Sequence, residues 1–537
     1  MEDQSGECCE IEKLSFERIK GLLPITYDYL FSNRIADFYT YHPNWDGIKR
    51  ALTERTEFDI DRNLLVTELT RQYSKIETSK PVSQNLSSLK EPTTFTFTTG
   101  HQLSLFTGPS YFFYKIISVI KLAKEAKKKF PHHQFVPVFW MATEDHDFEE
   151  IASTWIQNEK TTWEREANGP VGRLSLENLE NAFSQFSKSL GINDRSKSFI
   201  KKIQNFFTTS NSYGEFVQQF VNELFGEFGI VVIDADAPSL KRELISVIQD
   251  DLFHSVTHKK ATETSEALKE LGCTDQIHVR EVNFFYLLDG FRERIERHGD
   301  FFKVVNSSVS FSAEEMLSEI KSHPERFSPN VSLRPVYQEL ILPNVAYVGG
   351  GAEVAYWLQL KGVFKKHNAF FPVILMRDSA TVLPQKAKKW IQDIGISTFD
   401  LFRDKQLVFK ELVQRWSTNS LELVEEKQKV EELFNSIKPK VSNVQPTLSR
   451  TVEGEKVKIL NRLKSIEKKL IREEKRNHQV QEERLEKLYQ LVKPNGTLQE
   501  RKQNFLPFYI DYRNQLFSAL IDSFDATQAE MKIVYLR

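Results

Sequence analysis

Short apolar runs recur along the first 380 residues of the chain, and each is followed by polar or glycine-rich positions. Five of these runs have the length and composition of buried strands: residues 95–99, 135–141, 229–233, 345–348 and 371–376. Helical patterns separate several of them, and such alternation is typical of a doubly wound parallel sheet. The hydrophobic pattern therefore predicts the α/β fold class.

The segments that follow the five apolar runs carry most of the candidate chemistry. They are Gly100-His101-Gln102, residues 143–147 (TEDHD), Asp234-Ala235-Asp236, Gly349-Gly350-Gly351 and Arg377-Asp378-Ser379. In an open parallel sheet, ligands bind at the carboxyl ends of the strands. Five strand ends of this kind predict one shared cleft.

Two stretches interrupt the predicted sheet and are expected to be insertions into a core of residues 1–395. Residues 155–228 are typical of helices and loops. Within residues 280–330, two apolar runs flank Asp289-Gly290, which predicts an antiparallel pair of strands.

Residues 396–510 differ in composition, because long segments are rich in Glu, Lys, Arg and Leu and nearly lack glycine. Apolar residues follow 4-3-4 spacing in one segment and a related spacing in another, as in a helical coiled-coil arm. These residues are Ile459, Leu463, Ile466 and Leu470, and Leu423, Val430, Phe434 and Ile437. The expected break between the helices contains Pro439 and Pro446. Such an arm pairs with itself, with a second copy or with another protein, and we expect a homodimer. Residues 511–537 are expected to pack back on the core.

Composition and charge exclude several classes of function. The 537 residues are 40% hydrophobic and carry a net charge of -2, which gives no case for a nucleic-acid partner. The longest apolar runs are too short to span a membrane, and residues 1–13 are acidic and polar, so neither a membrane partner nor a secretory signal is expected. The three cysteines, Cys8, Cys9 and Cys273, form no disulfide framework. We therefore expect a cytoplasmic protein.

The loop of residues 99–109 is the first candidate site. A strand, a small-residue loop and a helix beginning at Pro109 would direct free amide groups toward an anion. His101 and Thr107 are the candidate side-chain donors, and Gly108 gives the loop its freedom. The alternative is a tight turn with a buried histidine.

The acidic segment TEDHDFEE, residues 143–150, is the second candidate site. Its carboxylates could hold Mg²⁺ for a nucleotide, orient a substrate ammonium, or provide a general base. The alternative is an acidic helix start. The spacing of a zinc site is absent from this segment.

Two later segments complete the candidates. Gly349-Gly350-Gly351 would let the backbone approach a ligand, and Glu353 could hydrogen-bond a ribose or an amine. Trp357 could contact a ligand or belong to the core. Arg377 could clamp a phosphate or form a salt bridge with Asp378. The chain has no phosphate-binding P-loop motif.

Taken together and in order, four segments and the helical arm resemble the bacillithiol biosynthesis cysteine-adding enzymes, the BshC family. The segments are residues 99–125, 137–151, 334–364 and 372–381. The resemblance implies a Rossmann-type core with connecting-peptide insertions and a C-terminal α-helical coiled-coil domain that supports dimerisation.

The resemblance also implies a function: joining L-cysteine to glucosaminyl-malate through a new amide in the last step of bacillithiol synthesis. ATP, or another nucleotide, would be the co-substrate that activates the carboxylate, through a cysteinyl-adenylate. The chain shows Gly100-His101-Gln102 where class I amino-acid-activating enzymes carry a His-x-Gly-His pair. A non-catalytic nucleotide-binding scaffold and a ligase for another amino-sugar thiol remain the alternatives.

The candidate residues divide into two sets, and none is assigned to a metal. The predicted catalytic residues are His101, Glu144, Asp145, Asp147 and Arg377. The predicted substrate- or nucleotide-binding residues are Gly100, Gln102, Thr107, Gly108, His146, Tyr347, Gly349, Gly350, Gly351, Glu353, Trp357 and Ser379. In this hypothesis His101 and Arg377 stabilise charge on a leaving phosphate, and one acidic residue of the second candidate site holds the amine.

Overall fold

The computed structural model describes residues 9–19, 21–416 and 422–537. The first eight residues, with Cys8 and most of the acidic start, and residues 417–421 of the predicted arm lie outside the described residues. The chain forms two compact units, one of residues up to 382 together with 497–537, and one of residues 383–496. The domain boundaries expected from the sequence stay predictions.

Strands and helices alternate through most of the described chain. The strands are β1 Cys9–Ser15, β2 Thr94–His101, β3 Gln134–Met141, β4 Ser153–Ile156, β5 Glu159–Thr162, β6 Val231–Asp234, β7 Phe284–Leu288, β8 Phe291–His298, β9 Phe301–Val304, β10 Ser310–Ser312, β11 Phe327–Pro329, β12 Asn344–Gly349, β13 Val373–Met376, β14 Ser379–Pro384 and β15 Glu530–Leu536. The helices of the first half are α1 Pro24–Phe31, α2 Trp45–Arg55, α3 Arg62–Gln72, α4 Lys80–Ser88, α5 Tyr111–Lys129, α6 Phe148–Ile151, α7 Leu179–Lys188, α8 Asp194–Thr209, α9 Tyr213–Phe225, α10 Pro238–Lys241, α11 Ile245–His254 and α12 Val256–Glu270. The remaining helices are α13 Ala313–Ser322, α14 Arg334–Ile341, α15 Gly351–Leu358, α16 Lys361–Lys366, α17 Gln385–Ile394, α18 Lys405–Trp416, α19 Val424–Val444, α20 Leu448–Asn477, α21 Gln479–Val492, α22 Gln499–Lys502 and α23 Leu506–Ser523. No helix in the part of the chain that the structure describes is both long and apolar enough to cross a bilayer.

The central sheet of the first unit has five parallel strands in the order β13-β12-β2-β3-β6. These are the five apolar runs of the sequence, and their order is the one found in Rossmann-type sheets, which confirms the predicted fold class. Strand order reverses between β2 and β12. That reversal is the topological switch point, where sheets of this kind bind ligands.

Helix α5 covers β2 and β3 with a long apolar face. Phe112, Phe113, Ile116 and Ile117 of this helix are all buried. The ring of Phe113 also packs against Phe505, with 4.7 Å between the ring centroids. Residues after 497 thus contribute to the same core as the central sheet.

The predicted insertions contain two smaller sheets. β7 and β8 pair as an antiparallel hairpin around Asp289-Gly290, as the turn residues predict, and belong to a sheet of order β10-β9-β8-β7-β11. β4 and β5 form a second hairpin that the sequence interpretation did not include. The reason is the composition of β5, Glu159–Thr162, which is short and polar and buries only Thr161.

The strands nearest the two chain termini pair with each other. β1 runs antiparallel to β15, with Cys9 opposite Leu536, and β14 completes the three-stranded sheet. Met531, Ile533 and Val534 of β15 are fully buried. This sheet ties residues 530–536 to the first unit.

The second unit contains a long helical hairpin. α19 and α20 are antiparallel, because Lys427 pairs with Glu467 at 2.5 Å and Lys438 pairs with Glu453 at 3.4 Å. The predicted coiled-coil domain is therefore confirmed as helical. One detail of the prediction is wrong: α19 continues through Pro439 to Val444, and only Pro446 lies in the break. The helical φ suits proline, so the continuation costs only the missing amide hydrogen bond and a local clash with the preceding turn.

Candidate active site

A cavity of about 670 Å³ lies at the carboxyl edge of the central sheet, at its switch point. Gly100 and His101 line it from the end of β2, and Gly350 and Gly351 line it from the start of α15. The other predicted residues in its wall are Gln102, Glu144, Asp145, Tyr347, Glu353 and Arg377. Four of the five polar strand ends therefore meet at one cavity.

Seven predicted residues lie outside the lining of this cavity. They are Thr107, Gly108, His146, Asp147, Gly349, Trp357 and Ser379. Trp357 is fully buried and stacks on Tyr347 at 4.6 Å between ring centroids, so it belongs to the core. Gly108 has φ +60°, and a Cβ there would lie 2.5 Å from the Cβ of Ser104. Gly108 thus serves a tight turn.

Two backbone amides at the helix start that was predicted to bind an anion already donate hydrogen bonds to carbonyl groups of the protein. α5 begins at Tyr111 rather than at Pro109. The amide of Ser110 donates to the carbonyl of Gln503 at 2.7 Å, and the amide of Phe112 donates to the carbonyl of Pro109 at 3.0 Å. The sequence cannot show that residue 503 packs against this loop, so the prediction left the Ser110 amide free.

His101 lines the cavity as a hydrogen-bond acceptor. Its Nδ1 lies 2.8 Å from the carbonyl oxygen of Gln102, which can only accept, so the proton belongs on Nδ1. Burial and the Lys115 ammonium lower the pKa of His101 to about 4, so the ring is neutral at pH 7 and Nε2 carries a lone pair. A neutral ring whose one N–H is already bonded to Gln102 is not placed to stabilise charge on a leaving phosphate, the role that the hypothesis gave to His101.

Lys115 and Glu353 join the two strand ends across the switch point. The Lys115 side chain is 5% exposed, donates to the carbonyl of Gly100 at 2.8 Å and pairs with Glu353 at 2.5 Å. Glu353 also accepts hydrogen bonds from the amide of Gly350 and the hydroxyl of Tyr347. Burial raises the pKa of Glu353, but Lys115 outweighs it and the net pKa lies below the ordinary value. Glu353 is thus ionised and already bound to Lys115, Gly350 and Tyr347, whereas the prediction had it hydrogen-bond a ribose or an amine.

Arg377 is neutralised by a carboxylate that the sequence did not indicate. Its guanidinium forms two hydrogen bonds to Glu500, at 2.7 and 3.0 Å, and a third to the hydroxyl of Ser379 at 2.8 Å. Asp378 pairs instead with Lys532. A salt bridge was one of the two predicted alternatives, but the predicted partner was wrong.

Glu144 forms a buried ion pair with Lys241, whose side chain is fully buried. Lys241 also donates to the carbonyl of Phe327 and lies over the ring of Tyr337. Burial raises the pKa of Glu144, while the Lys241 ammonium opposes that effect. Glu144 is therefore held in place from a helix that the sequence did not connect with it.

The other acidic residues of this segment are also engaged. Asp145 accepts from the Nε2 of Gln102 at 2.8 Å and from the amide of His146 at 2.8 Å. Burial raises the pKa of Asp145, but hydrogen bonds from His146 and Gln102 outweigh it, so the pKa lies well below the ordinary value. Asp147 caps α6 by accepting from the amide of Glu150. As arranged, Asp145 is a weak base and Asp147 fills the structural role of the predicted alternative.

The donors in this segment do not fit a magnesium ion held by the protein. Within the described residues, no group of three His, Cys, Asp or Glu side chains is close enough to hold a metal ion. The carboxylates of Glu144 and Asp145 are directed to Lys241 and Gln102.

Arg334 lines the cavity and was not among the predicted site residues. Its guanidinium lies 5.7 Å from the ring centroid of Trp140 and 5.3 Å from that of Tyr347, and it donates to Gln338. Neither Arg334 nor Arg501, which also lines the cavity, forms an ion pair in the described part of the chain. Arg334 is the first residue of α14, where the helix dipole makes a positive charge unfavourable. A cation at such a position suggests a binding role, and this was the sequence signal that could have marked Arg334 as a site residue.

The comparison with known families agrees with this architecture. Residues 10–378 match the family model of the bacillithiol biosynthesis BshC N-terminal Rossmann-like domain. Residues 380–536 match the BshC C-terminal coiled-coil domain. The chain belongs to the BshC family.

Related proteins of the BshC family extend over nearly the whole chain. A protein of Flavobacterium johnsoniae is 38% identical over 524 residues, which cover 97% of this chain and 99% of that protein. One of Christiangramia forsetii is 36% identical and covers 97% and 98%, and one of Bacillus mycoides is 27% identical and covers 89% and 92%. Each bears the name "Putative cysteine ligase BshC".

Proposed function

We propose that this BshC-family chain is an amide-forming ligase that joins L-cysteine to glucosaminyl-malate with ATP as co-substrate. The observation that carries the proposal is Arg334, a guanidinium close to two aromatic rings at the cavity that forms no ion pair with any described carboxylate. Malate carboxylates and nucleotide phosphates are the anions that such a group binds. The names of the relatives and the family match support the same function.

The proposed reaction activates a carboxylate before the amide forms. A carboxylate oxygen of cysteine attacks the α-phosphorus of ATP, the bond to the pyrophosphate oxygen breaks, and pyrophosphate leaves with the electron pair. The amine of glucosaminyl-malate then attacks the acyl carbon and loses a proton to the surrounding water. The carbon–oxygen bond to AMP breaks, and AMP leaves.

The side chains of the cavity have three roles in this proposal. Arg334 and Arg501 attract and orient the anionic groups. The Nε2 of His101 accepts a hydrogen bond from a substrate ammonium or hydroxyl. Lys115 and Glu353 hold the ends of β2 and α15 at a fixed separation. Since well-oriented reactants can gain about 7–11 kcal/mol, positioning supplies most of the expected acceleration.

The direct test is a purified-protein assay with cysteine, ATP and glucosaminyl-malate, reading the amide product and AMP against ADP by mass spectrometry. Arg334→Met removes charge-assisted hydrogen bonds of about 1.5–3 kcal/mol, so kcat/KM should fall roughly 10- to 150-fold. Arg294→Met is the matched control, because Arg294 is 39% exposed and lies outside the cavity lining.

Three outcomes would count against the proposal. An Arg334→Met variant with wild-type kcat/KM removes the observation that carries it. A wild-type protein that binds ATP but forms no amide favours the non-catalytic scaffold. Product formed only with another amine favours a ligase for a different amino-sugar thiol.

We also propose that the coiled-coil hairpin pairs with a second copy of the chain. Ile459, Ile466 and Leu470 of α20 lie along one stripe at spacings of seven and four, and are 36%, 48% and 40% exposed. This stripe repeats as coiled-coil seams do, and α19 does not cover it. Ile466→Asp should give a monomer in sedimentation analysis. Lys468→Asp, on the opposite side of the helix, should leave a dimer, and a monomeric wild-type protein would contradict the proposal.

A further inference from the structure

A second cavity of about 670 Å³ lies at the same sheet edge, beyond the end of β6. The end of β6 contributes Asp234 and Asp236, and residues 165–175 of the insertion form much of the remaining wall. Thr143 lines this cavity and the first one. The two cavities are therefore neighbours that share one side chain.

The shared wall is closely packed. The amide of Gly172 donates to the carbonyl of Thr143 at 2.8 Å, and a Cβ at Gly172 would lie 2.5 Å from the Cβ of Thr143. The hydroxyl of Thr143, in turn, donates to Asp234. The insertion thus packs directly against the segment that follows β3, and Thr143 borders both cavities.

Asp234 has an open carboxylate oxygen in this cavity. Its Oδ1 accepts both of its hydrogen bonds, from the hydroxyl of Thr143 and from the amide of Asp236 at 3.0 Å. Oδ2 accepts none from the described residues. Burial and the neighbouring Asp236 raise the pKa of Asp234 to about 6, so the group is ionised at pH 7.5.

The remaining charges of the cavity leave Asp234 without a cation. Asp236 holds Arg173 through hydrogen bonds of 2.7 and 3.0 Å, and Asp289 binds the same guanidinium at 2.9 Å. The lining as a whole has four carboxylates and two guanidiniums, so it favours a cation. Asn168, Ser175 and Ser212 add polar groups that suit hydroxyls.

We infer that the second cavity binds the amine substrate as a protonated amino sugar, with its ammonium on Asp234 and its hydroxyls on the polar lining. The inference rests on the proposed ligation, which brings together a nucleotide and two organic substrates. One cavity of about 670 Å³ is in the range that holds a single ligand. Arg334 and Arg501 line the first cavity, and neither forms an ion pair with a described residue; the same holds for Asp234 in the second cavity. Anionic groups of the substrates would then bind on one side of Thr143 and the ammonium on the other.

The test is isothermal titration of the full-length protein with methyl glucosaminide, an amine, and with its neutral N-acetyl counterpart, without ATP or cysteine. The amine should bind at least tenfold more tightly than the neutral sugar. Asp234→Asn should weaken amine binding at least tenfold, and Asp300→Asn, an exposed turn residue outside both cavities, should not. Asn168→Trp is a second variant, because it blocks the cavity from an exposed position without changing Asp234.

Amine binding that is absent from the wild-type protein, or unchanged by both Asp234→Asn and Asn168→Trp, would overturn the inference. Equal binding of the neutral sugar would do the same. Ligation is measured separately with the complete substrates. If product forms but amine binding does not depend on Asp234, only the inference about the second cavity is refuted. If amine binding depends on Asp234 but no product forms, only the proposed ligation is refuted.

Discussion

Removal of either partner of the Arg377–Glu500 ion pair leaves the other charge buried without a counterion. The two side chains are 6% and 3% exposed and are joined by two hydrogen bonds. Breaking a buried pair of this kind costs about 3–5 kcal/mol, because the remaining charge is removed from water and has no counterion. We therefore expect Glu500→Gln and Arg377→Met each to destabilise the region by that amount.

The double variant distinguishes this cost from the value of the pair itself. With Arg377→Met and Glu500→Leu combined, no unpaired charge remains, and apolar replacements of buried pairs are often neutral or stabilising. The double variant should therefore lose less stability than the two single variants together. If it regains stability and still fails to ligate, the guanidinium also serves the substrate.

Hydrogen exchange measured by mass spectrometry follows the affected peptides directly. Amides of residues 373–382 should exchange roughly 10²- to 4 × 10³-fold faster in Glu500→Gln, since each 1.4 kcal/mol corresponds to a factor of ten. Glu455→Gln is the control, because the Glu455–Lys458 pair is 52% and 69% exposed and is worth at most about 1 kcal/mol. Wild-type exchange rates in Glu500→Gln would refute the reasoning.

Two further predictions concern packing and pH. Gly172→Ala should destabilise the protein by about 1–3 kcal/mol and lower its melting temperature, because the new Cβ would lie 2.5 Å from the Cβ of Thr143. The control is Gly454→Ala, whose new Cβ has no neighbour within 4 Å and should not lower the melting temperature. Equal melting temperatures for the two variants would contradict the described contact. Burial raises the pKa of Glu339 from 4.5 to about 8, so wild-type stability should fall by about 4–5 kcal/mol as pH rises through that interval. Glu339→Gln, neutral throughout, should flatten this dependence in urea unfolding between pH 5 and 9, and a wild-type curve that rises over that interval would be inconsistent with the shift.

The strands of the core could be predicted because buried parallel strands are apolar on both faces. The runs at β2, β3, β6, β12 and β13 carry that signal directly. The rule that ligands bind at strand ends then placed His101, Glu144 and Gly350 near one cavity without any knowledge of contacts. The hairpin at Asp289-Gly290 was equally accessible, because its turn residues are specific.

The partners of the site residues could not be predicted in the same way. Arg377 and Glu500 are 123 positions apart, and Lys241 and Glu144 are 97 apart. Such pairs arise from tertiary packing and leave no periodic pattern in the chain. The same limit explains why residues expected to meet a ligand, such as Arg377 and Glu353, are already bound by other residues.

The pairing of β1 with β15 has a consequence for how the chain folds during synthesis. The side chains of Glu12 and Tyr535 are hydrogen-bonded across 523 positions. At a synthesis rate of about 5–20 residues per second, β1 waits tens of seconds with an open edge before its partner leaves the ribosome. An open strand edge is a template for pairing with other chains, so nascent copies on neighbouring ribosomes are exposed to mispairing throughout this interval.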